Sequence, residues 1–430
     1  MKDDLPTGPL GRTLAGGRTA AKVGGKMLTY YVKRPFLSPA GRTRAREKAA
    51  LEGAQTLFQG LSLLRGTALK MAQQLSLEMD LLPEAACQEL AKAYHQVPPI
   101  NRALVRKVVQ EGLGLAPEQA FTHFEPNAFA AASLGQVHRA VGAEGHDLAV
   151  KLQYPGIAKT IQGDLDLLRH LLGPVIESEH LLPVLAEIGA RLHEEVDYLQ
   201  EADNLRYFAR HLDMEGVRIP KVWPDLTAAT VLSTTLMPGQ PLDFWLKTNP
   251  DQQARDHVAQ QLSDMVVKCF YELNVVHADP NPGNFIIADD LTIGLVDFGC
   301  IKRVTPNFIE TYRQLVQAGA HRAGDAHFQL MIELGLIPPD QDAETVEKVR
   351  EVSDAIGGWF GSLFAEEYFD FKEHPGFIAQ GYALMRQYHH LRRHLKVNPD
   401  FIFLDRTRYG LLRIFEMTGA RVKFRNPYEW

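Results

Sequence analysis

The run His277-Ala278-Asp279-Pro280-Asn281-Pro282-Gly283-Asn284, followed by Asp297-Phe298-Gly299, constrains this chain more than any other stretch. Between the two pieces, Phe285-Ile286-Ile287 and Leu291 to Val296 read as short apolar strands flanking an Asp289-Asp290 turn. A tight hairpin there returns Asn284 and Asp297 to one edge. Oxygen ligands on two strands can then share Mg²⁺ ions that also bridge nucleotide phosphates. Asp279 falls where a hydroxyl or water would approach the γ-phosphoryl group.

The spacing Asp-x-x-x-x-Asn and then Asp-Phe-Gly is that of a kinase catalytic loop and its metal-binding segment. The upper half of such a site is legible as well. Ser133 to Val141 and Asp147 to Leu152 read as antiparallel strands joined by Gly142-Ala143-Glu144-Gly145. In the second strand Leu148, Val150 and Leu152 share one face, while Ala149 and Lys151 share the other. Lys151, following Val137, stands where a kinase keeps its phosphate-pairing lysine. A carboxylate must orient it, and the helical segment Leu181 to Phe208 offers several. Taken as one helix, that segment puts Asp197, Glu201 and Asn204 on one stripe, with Glu195 about a third of a turn away. Glu201 is assigned to Lys151. Where a glycine-rich loop would cover the phosphates, the chain has Ala130-Ala131-Ala132-Ser133-Leu134-Gly135. Backbone N–H groups there can face phosphate oxygens, but the Cβ atoms prevent the closest approach that glycine allows.

The chain has 430 residues and is 45% hydrophobic, enough for a large core and more than one domain. Four regions follow: a basic, glycine-rich arm over 1–44; an N-terminal helical extension over 45–118; a small mixed lobe over 119–239; and a larger, mostly helical lobe over 240–430. The expected class is α+β, a two-lobed protein-kinase-like fold with the extension packed over the active-site cleft. Within residues 1–50 eleven Lys/Arg face three Asp/Glu, although the whole chain is formally −6. That arm suits an anionic membrane surface or an acidic partner. Nucleic acid is not expected, because no groove-reading motif accompanies the charge. Cys87, Cys269 and Cys300 are isolated thiols without metal spacing. No apolar run has the length of a membrane span, so a cytoplasmic protein, with peripheral membrane contact, is expected. His390 and His394 have helical metal-ligand spacing but sit among Arg386, Arg392 and Arg393, and they read as part of a basic helix face.

Together these pieces resemble the AarF/UbiB family of atypical kinase-like proteins, associated with ubiquinone biosynthesis. The likeness runs from about residue 60 to the C-terminus. It rests on Ala131-Ala132-Ser133-Leu134-Gly135-Gln136-Val137-His138, Val150-Lys151-Leu152-Gln153-Tyr154-Pro155-Gly156, Glu195-Val196-Asp197, Glu201-Ala202-Asp203-Asn204 and the two motifs of the lower lobe. The family's K-x-G-Q motif reads Lys70-Met71-Ala72-Gln73 here. The resemblance implies that Lys70 pairs with Glu195. Ala72 in place of glycine favours the helix by roughly 0.8–1.0 kcal/mol and adds a methyl group. Asn281 stands where the family often has histidine. The implied cofactors are ATP (or ADP) and Mg²⁺. Ala131, Ala132, Ser133, Gly135, Val137, Lys151 and Gln73 would bind nucleotide, and Asn284 and Asp297 would bind metal. By the same resemblance Asp279, Lys151, Glu201, Lys70 and Glu195 would form the catalytic set, and quinone-biosynthesis proteins are the implied partners.

After Asp-Phe-Gly the chain runs Cys300-Ile301-Lys302-Arg303-Val304 and reaches Thr305-Pro306, a helix start. No Ala-Pro-Glu follows, so the platform for a peptide substrate is missing. The expected activity is an ATPase or a small-molecule or lipid-linked phosphotransferase. The alternatives are a non-catalytic ATP-binding scaffold and a soluble phosphotransferase of the antibiotic- or choline-kinase type.

Overall fold

A computed structural model describes Thr67, Lys70, Met71 and residues 100–132, 134–173, 178–321, 324–387 and 398–429. The basic arm, the rest of the K-x-A-Q motif (Gln73 included), Ser133, Cys87 and the His390/His394 segment lie outside the described residues. The chain divides into two units, residues 1–202 with 222–236, and 203–221 with 237–430.

The first unit is built on one antiparallel sheet. Its strands are β1 (His123–Phe124), β2 (Ala130–Ala132), β3 (Gly135–Val141) and β4 (Asp147–Gln153), and a later strand joins them after the helices that follow. Helix α1 (Arg102–Leu113) starts on Asn101, whose side chain accepts from the Leu104 N–H, and ends on Gly114 at φ 73°. Its Val105, Val108 and Val109 recur at helical spacing and bury against Ala140, Leu148, Val150 and Leu152. The alternation expected in β4 is present: Leu148, Val150 and Leu152 are fully buried, while Ala149 and Lys151 are half-buried on the other face. Helices α2 (Ile157–Leu172), α3 (Ser178–Glu195) and α4 (Tyr198–His211) follow. The short strand β5 (Val217–Arg218) belongs to the second unit, and β6 (Val231–Thr235) returns to pair with β4.

One expectation is corrected here. The segment from Leu181 to Phe208 is two helices, because the chain breaks at Val196-Asp197. The Asp197 carboxylate accepts from the Gln200 N–H at 3.0 Å, which caps α4 and replaces a continued helical ladder. Gln153 on β4 donates to the Val196 carbonyl at 2.8 Å and ties the break to the sheet.

The second unit is mostly helical. Strand β7 (Gln240–Pro241) precedes helix α5 (Gln252–Tyr271), which buries Val258, Leu262, Met265 and Cys269 along one stripe. Then come β8 (Val275–His277), β9 (Phe285–Ile287), β10 (Ile293–Leu295) and β11 (Ile301–Arg303). The β9–β10 hairpin joins a four-stranded sheet in the order β5-β10-β9-β7, and β8 pairs separately with β11. Helices α6 (Pro306–Ala320), α7 (Gly324–Glu333) and α8 (Ala343–Gly361), strand β12 (Phe369–Asp370), helices α9 (Phe377–Gln387) and α10 (Pro399–Thr418), and strand β13 (Arg421–Val422) complete it. α6 begins where the sequence predicts, with the Thr305 hydroxyl accepting from the Phe308 N–H. α10 has Asn398 as its N-cap, Pro399 in its first turn and Gly419 at φ 59° closing it. Its Leu411, Leu412, Ile414 and Phe415 are buried, and the helix packs on α5 and β8. Among the described residues no helix is long and apolar enough to cross a membrane.

Candidate functional site

In the first unit Val137 and Lys151 are direct partners across β3 and β4. Lys151 Nζ lies 2.8 Å from both carboxylate oxygens of Glu201, and the Glu201 side chain is only 1% exposed. The ammonium also lies over the Tyr198 ring, 5.1 Å from its centre. So Asp197, by starting α4 where it does, sets both the ring and the carboxylate around the lysine. Tyr198 carries no signal in the sequence beyond its place in the first turn of that helix.

The alanine run is extended rather than helical. Ala130, Ala131 and Ala132 pair with Val137, Gln136 and Gly135, so a tight hairpin replaces a long flap. Gly135 allows a contact no other residue would permit: a Cβ there would lie 2.2 Å from the Leu152 carbonyl oxygen and 2.7 Å from the Tyr198 hydroxyl. The bend that starts β3 therefore lies directly against the Lys151 strand and the Tyr198 helix.

Lys70 Nζ meets Glu195 Oε1 at 2.9 Å, with both side chains 14% exposed. Thr67, one turn earlier, is fully buried, donates to Asp164 of α2, and lies 2.8 Å from the Thr160 hydroxyl. This anchorage of the Lys70 helix on α2 has no motif that would announce it. The second Glu195 oxygen is buried without a hydrogen-bond partner among the described residues, so it can still accept a bond or a ligand.

In the second unit the hairpin pairs Leu295 with Phe285, and Val296 N–H donates to the Asn284 carbonyl at 3.1 Å. Asn284 and Asp297 therefore stand at one edge, as the spacing predicts. The turn is closed by Asp290, whose carboxylate accepts from the Thr292 N–H at 3.0 Å. The Asn284 amide nitrogen donates to the Asp279 carboxylate at 2.9 Å and to its carbonyl at 3.1 Å. With its nitrogen so committed, the amide oxygen of Asn284 is the atom suited to a metal. One Asp297 oxygen accepts from the Gly299 N–H at 3.0 Å. Among the described residues no cluster of three or more His, Cys, Asp or Glu forms a metal site. An amide oxygen and one carboxylate instead fit Mg²⁺, a hard cation that takes its remaining ligands from water and phosphate.

His277 acts as a brace. Its Nε2–H donates to the Asp297 carbonyl at 2.6 Å, and its ring meets the edge of Phe298. The Asn204 amide donates to the Phe298 carbonyl at 2.9 Å. The Asp-Phe-Gly backbone is therefore held on both sides of Phe298, which is fully buried. Two residues of α10 also reach the loop. The buried Thr407 hydroxyl donates to the His277 carbonyl at 3.0 Å, and Arg406 Nη2 lies 3.9 Å from Asp279 Oδ1. Nothing in the sequence links either residue to a loop more than a hundred residues earlier.

Set against known proteins, a family model described as the ABC1 atypical kinase-like domain matches residues 92–329, more than half of the chain. A probable serine/threonine-protein kinase, abkA of Dictyostelium discoideum, is 28% identical over 73% of this chain and 58% of its own length. The mitochondrial atypical kinase coq-8 of Caenorhabditis elegans is 29% identical over 66% of this chain and 37% of its own. The chain thus spans about half the length of these curated relatives. A solved structure of Rv3197 from Mycobacterium tuberculosis, in complex with erythromycin, superposes with a TM-score of 0.61 at 22% identity, covering 89% of this chain and 96% of that one. That likeness is one of fold. The motifs of both units lie within the matched span, apart from the Lys70 segment, and the chain belongs to the ABC1 atypical kinase-like family.

Proposed function

We propose that this protein is an ATP- and Mg²⁺-dependent atypical kinase-like enzyme, an ATPase or a small-molecule or lipid-linked phosphotransferase, that supports isoprenoid quinone biosynthesis. The observation that carries the enzymatic reading is the hairpin edge, where Asn284 stands beside Asp297 and donates to Asp279. In this reading Asn284 and Asp297 hold Mg²⁺, which neutralises phosphate charge. Lys151, oriented by Glu201, pairs with the phosphates. Ala131, Ala132, Ser133 and Gly135 form the segment that covers the phosphates, with Val137 and Gln73 beside the nucleotide. Asp279 receives the proton of an attacking water or hydroxyl. Lys70 and Glu195 restrain the segment that precedes the family domain.

The short span from Cys300 to Thr305, which enters β11 and then α6, favours a small acceptor or water over a peptide. The quinone assignment rests on the AarF/UbiB motifs and on a relative named as the atypical kinase coq-8. A cytoplasmic location with contact at an anionic membrane surface fits the basic arm.

The test is phosphate release and nucleotide binding by the purified protein with and without Mg²⁺. Parent turnover that is lost in Asp297→Asn supports the enzyme. Saturable ATP binding with no turnover under any lipid or phenolic additive points to a scaffold. Absence of cation-dependent binding removes the nucleotide reading altogether. For the pathway, lipids from a strain lacking the protein should contain accumulated quinone precursors, and normal quinone levels would remove that assignment.

A further inference from the structure

We propose that Arg406 of α10 supplies the cation that engages the transferring phosphoryl group beside Asp279, an inference that rests on the nucleotide reading above. The loop from His277 to Asn284 contains no lysine or arginine. Asp279 therefore faces an anionic phosphoryl group with no positive side chain of its own segment nearby. Phosphoryl transfer depends on cations placed at the oxygens where charge develops.

Arg406 is placed to meet that need. Its Nη2 is 3.9 Å from Asp279 Oδ1, with the two side chains 22% and 29% exposed. A committed arginine–carboxylate pair closes to about 2.7–2.9 Å and is often bidentate. This looser contact leaves guanidinium N–H groups able to bind a second anion while Asp279 holds the arginine near. Arg408, two residues on, is used differently: its guanidinium lies 3.5 Å from the centre of the Phe360 ring.

The register of α10 is fixed against the loop by contacts either side of Arg406. Thr407 donates to the His277 carbonyl at 3.0 Å. Gly410, one helical turn after Arg406 and on the same face, lies so close to Pro280 that a Cβ would stand 2.0 Å from its Cγ. Residues 406, 407 and 410 thus address Asp279, His277 and Pro280 in turn. α10 lies beyond residues 92–329, so this cation comes from outside the matched domain.

In the step itself, the attacking oxygen bonds to the γ-phosphorus and its proton passes to the Asp279 carboxylate. The bond from that phosphorus to the β,γ-bridging oxygen breaks, and its electron pair leaves with ADP. Arg406 keeps its protons and hydrogen-bonds an equatorial oxygen throughout.

Arg406→Gln and Arg406→Lys test this in the full chain. For Arg406→Gln, kcat should fall roughly 10²–10³-fold while KM for ATP and thermal stability stay near the parent's. Added guanidinium ion should restore part of the rate, and Arg406→Lys should fall between the two. An unchanged kcat overturns the proposal, as does a loss of rate and stability together that guanidinium does not rescue. If the parent binds MgATP without turnover, the readout becomes affinity for MgADP with aluminium fluoride: weaker trapping in Arg406→Gln supports the role, and equal trapping overturns it. A parent that binds no MgATP refutes the nucleotide reading, and this inference falls with it; an active parent matched by Arg406→Gln refutes the inference alone.

Discussion

Lys151 reaches its carboxylate across fifty positions of chain, through a sheet register and a helix break. Asn284 reaches Asp297 through a single hairpin whose turn is closed by Asp290. The first arrangement is made by side chains: an ammonium and a carboxylate, nearly dry, satisfying each other. The second is made by backbone: ladder bonds place the residues, Asp279 accepts from the Asn284 amide with Arg406 at a looser 3.9 Å, and one Asp297 oxygen accepts from the Gly299 N–H. A group that supports its own surroundings cannot be removed without harming them. A group displayed on a backbone scaffold can be.

The largest effect that would break this contrast is in the carboxylates. Glu201→Ala removes the buried carboxylate that Lys151 Nζ meets at 2.8 Å, in a site where the lysine is 15% exposed. The loss should be about 3 kcal/mol, the low end for a broken buried pair because the ammonium keeps some contact with water. It would be read as a shift of the denaturant midpoint, together with lost turnover. Asp279→Asn should slow turnover roughly 10²–10⁴-fold yet change stability by no more than about 0.5 kcal/mol. Equal stability losses in the two variants would erase the distinction between the regions.

Glycines sharpen the same comparison at a smaller scale. At Gly135 a methyl group would meet the Leu152 carbonyl oxygen at 2.2 Å, an atom fixed in the sheet. Gly135→Ala should therefore cost about 1–3 kcal/mol, as overpacking does, and should disturb the Lys151–Glu201 pair through Tyr198. At Gly283 the nearest atom to an added Cβ is Asn281 Oδ1 at 3.4 Å, ordinary contact. Gly283→Ala should be nearly neutral in stability. Circular dichroism melts of the two variants decide this, and a Gly135→Ala protein as stable as its parent would mean the strand can yield.

The same difference explains what the sequence could reveal. Asp279, Asn284 and Asp297 were legible because their geometry is written in consecutive residues: strand, turn, strand. Lys151 was legible through the alternation of β4. The pairing of Glu201 with Lys151 could be assigned, but the break before α4 could not, because apolar spacing runs on through Val196. The Asp197 cap and the grip of Gln153 on the Val196 carbonyl divide the segment. Tyr198, Thr67, Arg406 and Thr407 were not legible at all. Each acts through a tertiary contact with a distant partner, and none carries a local pattern that distinguishes it from an ordinary helix residue.

The smallest effect is in pH, where the two units should respond with opposite sign. In the first, His138 is buried between fixed groups. The Ile100 N–H donates to Gln136 Oε1 at 2.8 Å, which turns the Gln136 amide nitrogen toward His138 Nε2 at 2.7 Å. His138 Nδ1 therefore carries the proton and donates to the Glu125 carbonyl at 2.8 Å. Protonating Nε2 would set two donors against each other, and burial holds the His138 pKa below 6.5. The unfolded chain then binds a proton that the folded unit refuses. Stability is thus complete above about pH 6.5 and declines as pH falls toward the lower folded value. In the second unit, burial raises the Glu429 pKa above 4.5 even though Tyr271 and Asn426 donate to its carboxylate. There the folded state holds the extra proton, so stability declines as pH rises from about 4.5 through the raised value. Hydrogen exchange resolved along the chain at several pH values reads each unit separately. His138→Gln should flatten the slope in β3 and β4 and leave α5 unchanged, whereas Glu429→Gln should do the reverse. If both variants flatten both units, protonation is coupled across the chain and the two regions do not titrate as separate bodies.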